Sequence, residues 1–308
     1  TEDAATPTLT DTGTLTITDA DAGEASFQTT GITASSGALG SLSITSAGVW
    51  TYDVANADVQ HLKAGETKTE TFTVLATDGT SHTVTVTITG INDAAVIGGD
   101  NSGSVTEDAA TPTLTDTGTL TITDADAGEA SFRTTGITAS SGALGSLSIT
   151  SAGVWTYDVA NADVQYLKDG ETKTETFTVL ATDGTSHTVT VTITGINDAA
   201  VIGGDNSGAV TEDAATPTLT DTGTLTITDA DAGEASFQTT GITASSGALG
   251  SLSITSAGVW TYDVANADVQ HLKAGETKTE TFTVLATDGT SHTVTVTITG
   301  INDAAVIG

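Results

Sequence analysis

Apolar and polar residues alternate along most of this chain, in short stretches that end at Gly, Asp, Asn or Ser. A period of two is typical of β-strands with one buried face. In the first 105 residues this pattern predicts strands at 14–18, 25–32, 41–45, 49–54, 67–76, 80–89 and 94–97, the last opening the next domain. Only 57–63 has a helix-like pattern. The sequence therefore predicts an all-β fold with about seven strands per unit.

The same sequence is written three times. The motif that begins at Thr1 returns at Thr106 and Thr211, a period of 105 residues, and 1–98 is identical to 211–308. The middle copy differs by Arg133 for Gln28, Tyr166 for His61 and Asp169 for Ala64, with Ser104 in place of Ala209 in the linker. A unit of this length suits an independent domain rather than a solenoid repeat. We therefore expect domains at 1–93, 94–198 and 199–308.

The strand spacing and the unit length favour one architecture. Several short strands at regular intervals, each with one apolar face, are typical of immunoglobulin-like β-sandwiches. We expect three tandem antiparallel sandwiches of this type in an extended array.

The net charge of the chain limits the kinds of partner that it can bind. The chain has 39 acidic and 7 basic side chains, a net charge of −32. Such a surface excludes nucleic acid as a partner and disfavours anionic membranes. Salt or bound cations must offset the repulsion between the acidic side chains.

No apolar run is long enough for membrane insertion. The absence of cysteine excludes disulfides and thiolate metal sites, and without an initiating Met the sequence is expected to be an interior segment.

Many carboxylates are concentrated in a few turns. In the middle copy, Asp124, Asp126 and Glu129 share one turn, Asp183 lies in a second, and Asn197 with Asp198 closes the unit. Crowded carboxylates raise each other's pKa unless a cation lies between them. All-oxygen ligands select a hard cation, and calcium accepts such a flexible set more readily than magnesium. The alternative is that Asp and Gly are simply common in turns, which explains single Asp-Gly turns better than these clusters.

The ordered motifs also resemble a known family. The segment 13–23 (Gly-Thr-Leu-Thr-Ile-Thr-Asp-Ala-Asp-Ala-Gly), then Gly-Val-Trp-Thr-Tyr, Lys-Ala-Gly-Glu-Thr, Phe-Thr-Val and Thr-Gly-Ile-Asn-Asp-Ala resemble the VCBS repeat in all three copies. That family occurs in very large secreted bacterial adhesins, including those of the RTX type. The resemblance implies an extracellular location at the bacterial surface and a role in adhesion or biofilm formation.

The acidic residues are also similar to the calcium ligands of cadherin repeats, which bind the ion where two domains join. The resemblance implies a first junction formed by Glu2, Asn92, Asp93, Asp124, Asp126 and Asp183. It implies a second formed by Glu107, Asn197, Asp198, Asp229, Asp231 and Asp288. Asn56 with Asp58, and Asn161 with Asp163, lie near a further acidic position of that pattern.

Other chemistries have weaker support. Trp50 and Tyr52 share one strand face, which suits sandwich core better than a sugar platform. Neither His61 nor His82 has a second His or a Ser partner at triad-like distance, so we expect no nucleophilic catalysis and no enzyme. The sequence does not exclude a pair of carboxylates of the kind that glycoside hydrolases use. Rows of threonine permit an ice-binding surface only if the sheets are flat, and sandwich sheets twist.

Two functions follow from these expectations. The first is a calcium-rigidified stalk segment that projects distal domains away from the cell. We expect such a segment to be a monomer whose partners are calcium ions and the neighbouring repeats of the same chain. The second is a repeated glycan- or protein-binding module that acts by avidity.

Overall fold

The computed structural model describes residues 1–2, 5–108, 110–213 and 215–305. Its internal contacts divide the chain into two compact units. The first comprises Thr1–Gly103, Asp116–Tyr157 and Glu175–Thr190, and the second comprises Ser104–Thr115, Asp158–Thr174 and Val191–Gly308. The division crosses the middle repeat, so each unit holds one outer repeat and part of the middle one.

Strands are the main regular structure of the described residues, and helix is limited to short turns at Asn56–Asp58, Asn161–Asp163 and Asn266–Val269. The first repeat contains β1 (Thr8–Thr14), β2 (Thr33–Ala34), β3 (Ser41–Ile44), β4 (Val49–Ala55), β5 (Thr67–Leu75) and β6 (Ser81–Thr89). The second contains β7 (Val96–Gly99), β8 (Ser102–Thr106), β9 (Thr113–Thr123), β10 (Thr138–Ala139), β11 (Ser146–Ile149), β12 (Val154–Ala160), β13 (Thr172–Leu180) and β14 (Ser186–Thr194). The third contains β15 (Val201–Gly204), β16 (Ser207–Thr211), β17 (Thr218–Thr228), β18 (Thr243–Ala244), β19 (Ser251–Ile254), β20 (Val259–Ala265), β21 (Thr277–Leu285) and β22 (Ser291–Thr299).

Each repeat folds into two sheets. In the third repeat the orders are β15-β17-β20-β19 and β16-β22-β21-β18, and the second repeat has the same arrangement. Among the described residues of the third repeat, neighbouring strands are antiparallel except β16 with β22, which run parallel from Ser207 beside Thr295 to Thr211 beside Thr299. The predicted all-β fold with three tandem sandwich repeats is confirmed.

The apolar side chains that alternate with threonine along the strands form the core of each sandwich. On β21 and β22 the side chains of Phe282, Val284, Val294, Val296 and Ile298 are at most 1% exposed, while the threonines between them face outward. Trp155 and Trp260 are fully buried. The prediction that the tryptophan position belongs to the core is therefore confirmed for the second and third repeats, and these two rings are not available as sugar platforms.

Three local predictions were wrong or incomplete. The segment 25–32 is not a strand; Phe27 makes a single bridge to Ala76 instead. In the first repeat the strand ends at Thr14 rather than covering 14–18. The helix-like pattern at 57–63 yields only a short turn of 3₁₀ helix, Asn56–Asp58.

Each sandwich contains a buried glutamate whose carboxylate accepts three hydrogen bonds. Glu280 on β21 is 1% exposed, and its two oxygens accept hydrogen bonds from the backbone N–H groups of Leu249 and Gly250, at 2.6 and 3.1 Å. The hydroxyl of Tyr262 donates a third, at 2.9 Å. Glu70 and Glu175 do the same in the other repeats. Because three donors satisfy the carboxylate, its burial is tolerated. The hydrogen bonds anchor the loop that precedes β19 in the third repeat, and the loops that precede β3 and β11 in the other two.

Within the described residues, no helix has the length and apolar character that a bilayer crossing requires. The domain limits 1–93, 94–198 and 199–308 stay a prediction, and the last three residues of the third domain lie outside the described part of the chain. The segment expected to open the next domain does contain a strand, β7, which begins at Val96 and pairs with β9.

Candidate metal centre

The acidic turns lie directly after a long strand. Asp124 follows β9, and its Oδ1 accepts a hydrogen bond from the N–H of Asp126 at 2.9 Å. Asp229 and Asp231 repeat this arrangement after β17, also at 2.9 Å. Such a side chain-to-backbone bond is a common way for Asp to stabilise a turn. It holds two carboxylates side by side.

The linkers contact these turns through their backbone. The N–H of Asp93 donates to Oδ2 of Asp126 at 3.0 Å, and the N–H of Ala95 donates to Oδ2 of Asp183 at 3.1 Å. At the second linker, Asp198 and Ala200 donate in the same way to Asp231 and Asp288, at 3.0 and 3.1 Å. All six candidate ligands of the first junction belong to the first unit and all six of the second junction to the second unit.

A buried glutamate approaches each junction from the preceding repeat. Glu107 is 1% exposed; its Oε1 accepts from the N–H of Ile196 at 2.8 Å, and its Oε2 accepts from the side-chain amide of Gln165 at 2.9 Å. One oxygen each of Glu107, Asp198 and Asp231 lie within 4.8 Å of one another. Glu2 is bound by Ile91 and Gln60 in the corresponding place.

Several carboxylate oxygens at the junctions are buried and have no hydrogen-bond partner. At the first junction these are Oδ2 of Asp93, Oδ2 of Asp124 and Oδ1 of Asp126. At the second they are the same atoms of the equivalent residues, Asp198, Asp229 and Asp231. Buried anionic oxygens without a partner are costly. Their recurrence at both junctions fits a cation held between them, and the all-oxygen donor set fits a hard one.

The pKa shifts of the junction carboxylates also fit a cation between them. Burial raises the pKa of Glu107, and the charges of Asp198 and Asp231 add to the rise. Burial likewise raises the pKa of Asp124, with contributions from Asp183, Asp126 and Asp93. The pKa of Asp183 is lowered, because hydrogen bonds from Thr185, Ala95 and Asn92 outweigh the effect of its burial. Each junction thus concentrates negative charge that a bound cation would neutralise.

The predicted ligands are brought together to different degrees. At the second junction Glu107, Asp198 and Asp231 place one oxygen each within 4.8 Å of one another. Asp229 accepts a hydrogen bond from the N–H of Asp231, and Asp288 accepts one from the N–H of Ala200 in the linker. Asn197 and Asn92 remain solvent-exposed and bond to Asp288 and Asp183. The side chain of Asn161 instead binds the backbone of Asp108, and Asp163 is exposed. Asn161 therefore supports the segment that carries Glu107.

Sequence reasoning missed some residues at the junctions. Lys63 lies 3.7 Å from Glu129, and Lys168 lies 3.5 Å from Glu234, so an ion pair joins residues on either side of each linker. The backbone adds a bond from Ala127 to His61 at the first junction and from Ala232 to Tyr166 at the second. A Lys and a Glu separated by 66 positions carry no local signal of pairing.

The first repeat carries a related acidic group. Asp19, Asp21 and Glu24 place one oxygen each within 4.8 Å of one another. Asp21 is exposed, whereas its counterpart Asp231 is 2% exposed. The local turn is the same, so the linker residues beside Asp231 account for its burial.

The family model described as bacterial cadherin-like domain matches residues 1–90, 92–195 and 197–300. No curated protein matches the sequence. Among solved structures, the titin I-band fragment I67–I69 is 12% identical, with a TM-score of 0.39 over 95% of this chain and 92% of that one.

Protocadherin structures are similar to the same degree. The protocadherin γB4 extracellular domain is 18% identical, with a TM-score of 0.44 over 96% of this chain and 46% of that chain. The protocadherin γB7 EC3–6 cis-dimer structure is 16% identical, with a TM-score of 0.45 over 96% of this chain and 69% of that chain. Since the family model covers nearly all of the sequence in three consecutive matches, the chain belongs to the bacterial cadherin-like domain family.

Proposed function

We propose that this chain is a calcium-rigidified extender segment of a secreted bacterial surface adhesin of the RTX type. Its repeats project distal ligand-binding domains away from the cell for adhesion or biofilm formation. The observation that supports this most directly is the set of buried, unpartnered carboxylate oxygens that recurs at both junctions. Family membership and the three near-identical copies are consistent with a segment whose function depends on length.

The proposed calcium ligands are the twelve residues of the two junctions. They are Glu2, Asn92, Asp93, Asp124, Asp126 and Asp183, and Glu107, Asn197, Asp198, Asp229, Asp231 and Asp288. Flexible, irregular sets of oxygen ligands suit calcium, whereas magnesium needs a near-ideal octahedron and retains its waters. With the ion bound, the repulsion between linker and turn carboxylates is neutralised, and the angle between neighbouring repeats becomes fixed.

Calcium binding can be measured on the whole chain by isothermal titration calorimetry after chelator treatment. We expect saturable binding that divides equally between the two junctions, because their ligand sets are the same. Magnesium at the same concentration is expected to bind more weakly. Absence of saturable binding at about 1 mM calcium, the range of extracellular calcium modules, would contradict the proposal.

Calcium binding is expected to weaken as the pH falls from about 7 to about 5. The pKa values of Glu107, Asp124 and Asp229 are raised, so protons occupy these carboxyls at a higher pH than usual and compete with the ion. Binding at the lower pH must therefore release protons. Calorimetry in two buffers of different ionisation enthalpy measures this release; equal proton release at both pH values would contradict it.

An export role fits the same site. Cytoplasmic calcium is scarce, so repeats that depend on the ion would remain loosely joined inside the cell and become rigid only outside. Secretion by a type I system, which passes unfolded chains, suits such a segment. Comparison of thermal unfolding in chelator and in calcium tests this, since equal stability in both would leave no folding advantage outside.

The second candidate function is a repeated module that binds a glycan or protein by avidity. The exposed differences between repeats, such as Tyr166 in place of His61, change side chains near the junctions. Glycan-array binding that persists in chelator would favour this function over the extender. We propose no enzymatic activity, since the carboxylates that converge are accounted for as cation ligands.

A further inference from the structure

The two junctions have the same candidate ligands but different charged neighbours. Residues 1–98 and 211–308 are identical, and the middle repeat differs from them at positions 133, 166 and 169. That repeat contributes its acidic turns to the first junction and its buried glutamate to the second. Two of the three substitutions change the formal charge, namely Arg133 and Asp169. A substitution in the middle repeat can therefore affect one junction and leave the other unchanged.

Arg133 lies beside the first junction. Its Nη2 donates to the carbonyl of Thr182 at 2.7 Å, and Thr182 immediately precedes the candidate ligand Asp183. On the other side of this ligand, a Cβ placed on Gly184 would lie 3.7 Å from the same Nη2. The guanidinium group thus lies against the turn that presents Asp183. Because it contacts the residue next to this ligand, its charge acts on the carboxylate within the Debye length of about 10 Å at 0.1 M salt.

The equivalent position at the second junction carries no charge. Gln238 replaces the arginine, and its Nε2 donates to the carbonyl of Ala286 at 2.8 Å. Ala286 lies two residues before the ligand Asp288, so the amide also stops one residue short of the place that the guanidinium reaches. The carboxylates of Asp183 and Asp288 otherwise accept the same backbone bonds, each from a linker alanine at 3.1 Å. The arginine is therefore a difference in charge added to two matching ligand turns.

Asp169 adds a charge of the opposite sign near the second junction. It is exposed, and it lies in the loop that leads from the short helical turn to β13. The next residue, Gly170, donates its N–H to the carbonyl of Gly195 at 3.0 Å. Gly195 lies two residues before the ligand Asn197, so this loop is bound to the segment that enters the junction. The first repeat has alanine at the corresponding position.

We propose that the two junctions are calcium sites of unequal affinity and that the second binds the ion before the first, because Arg133 weakens one and Asp169 strengthens the other. This inference rests on the proposed function, since it assumes that both junctions bind calcium. At saturation both junctions bind the same amount. At lower calcium concentrations the second linker becomes rigid while the first still bends, so the position of the flexible joint depends on the calcium concentration.

The test measures the calcium affinity of the whole chain with one junction disabled at a time. Asp126→Asn leaves the second junction, and Asp231→Asn leaves the first. In about 20 mM salt we expect the second junction to bind calcium at least about threefold more tightly, as measured by calorimetry. In about 0.5 M salt this ratio is expected to fall towards one, because salt screens charges that do not touch the ion.

Three substitutions assign the difference to charge. Arg133→Gln, in the chain that retains the first junction, is expected to tighten binding about twofold. Asp169→Ala, in the chain that retains the second, is expected to weaken binding about twofold. Both restore residues that the outer repeats carry, and circular dichroism establishes that the chains are folded. Arg133→Lys keeps the charge and is expected to leave the affinity unchanged, so tightening as large as that from Arg133→Gln overturns the electrostatic explanation.

The outcomes separate this inference from the proposed function. Equal affinities of the two single-junction chains in about 20 mM salt, or tighter binding at the first junction, overturn the inference while calcium binding at the junctions still stands. A ratio that does not change between low and high salt also overturns it, since the difference would then arise from structure rather than from charge. Absence of calcium binding in both chains and in the unmodified chain overturns the inference and the proposed function together.

Discussion

Asp231→Asn is expected to remove calcium binding at the second junction while the first junction continues to bind. Asp231 is 2% exposed, its Oδ1 is buried without a partner, and its Oδ2 already accepts from the linker backbone. Asn retains the size but loses the charge and one acceptor. Even outer partners of metal ligands are worth about 10- to 100-fold in affinity, so the loss at this site is expected to be at least about tenfold. Calorimetry then shows half of the original high-affinity binding.

The control for this experiment is Asp21→Asn. Asp21 is the equivalent residue of the first repeat, in the same local sequence, but it is exposed. We expect this variant to keep the binding of both junctions. Asp126→Asn is the reciprocal change and removes the first junction alone. If Asp21→Asn and Asp231→Asn reduced binding equally, the turn alone would be the site and the junction would have no part in it.

Glu280→Gln is expected to destabilise the third repeat by about 3 kcal/mol. The carboxylate of Glu280 accepts three hydrogen bonds inside the sandwich, from Leu249, Gly250 and Tyr262. An amide offers one acceptor oxygen, and its NH₂ group faces donors. At least one buried donor therefore loses its partner. Urea unfolding of the whole chain, followed by near-UV circular dichroism, reports this loss as an earlier transition that involves about a third of the signal.

Two further variants calibrate this effect. Tyr262→Phe removes only one of the three bonds, so we expect a smaller loss of about 1 kcal/mol. Glu276→Gln changes an exposed carboxylate on the same segment and is expected to alter stability by less than about 0.5 kcal/mol. A loss from Glu280→Gln no larger than that from Glu276→Gln would show that the buried carboxylate is not required for stability.

Alternation in the sequence predicted the sandwich because the core depends on which strand face is apolar. The same signal also marks Glu175, which is in phase with the buried Phe177 and Val179 on β13. This phase was not used to predict a buried glutamate, and the pattern carries no indication of the two backbone N–H groups that satisfy it. Those donors come from a loop about 30 positions earlier.

Strand limits could not be predicted from local sequence. Residues 8–18 and 218–228 are identical, yet β1 has 7 residues and β17 has 11. The extra pairing depends on β15, whose residues lie 21 to 27 positions before their partners on β17. The candidate ligands came from a resemblance, whereas the contacts that bring Asp93 to Asp126 and Ala95 to Asp183 span 33 and 88 positions. Only the folded chain shows which of their oxygens are buried without a partner.

Calcium at the junctions is proposed to fix neighbouring repeats relative to each other. Because the chain has no cysteine, spin labels can be placed at two introduced cysteines, Ser36→Cys and Ser141→Cys, both at exposed positions. The distance distribution between them, measured by double electron–electron resonance, is expected to be broad in chelator and to narrow to one peak in calcium. The same chain carrying Asp126→Asn should stay broad in both. A distribution of the same width with and without calcium would contradict this role of calcium.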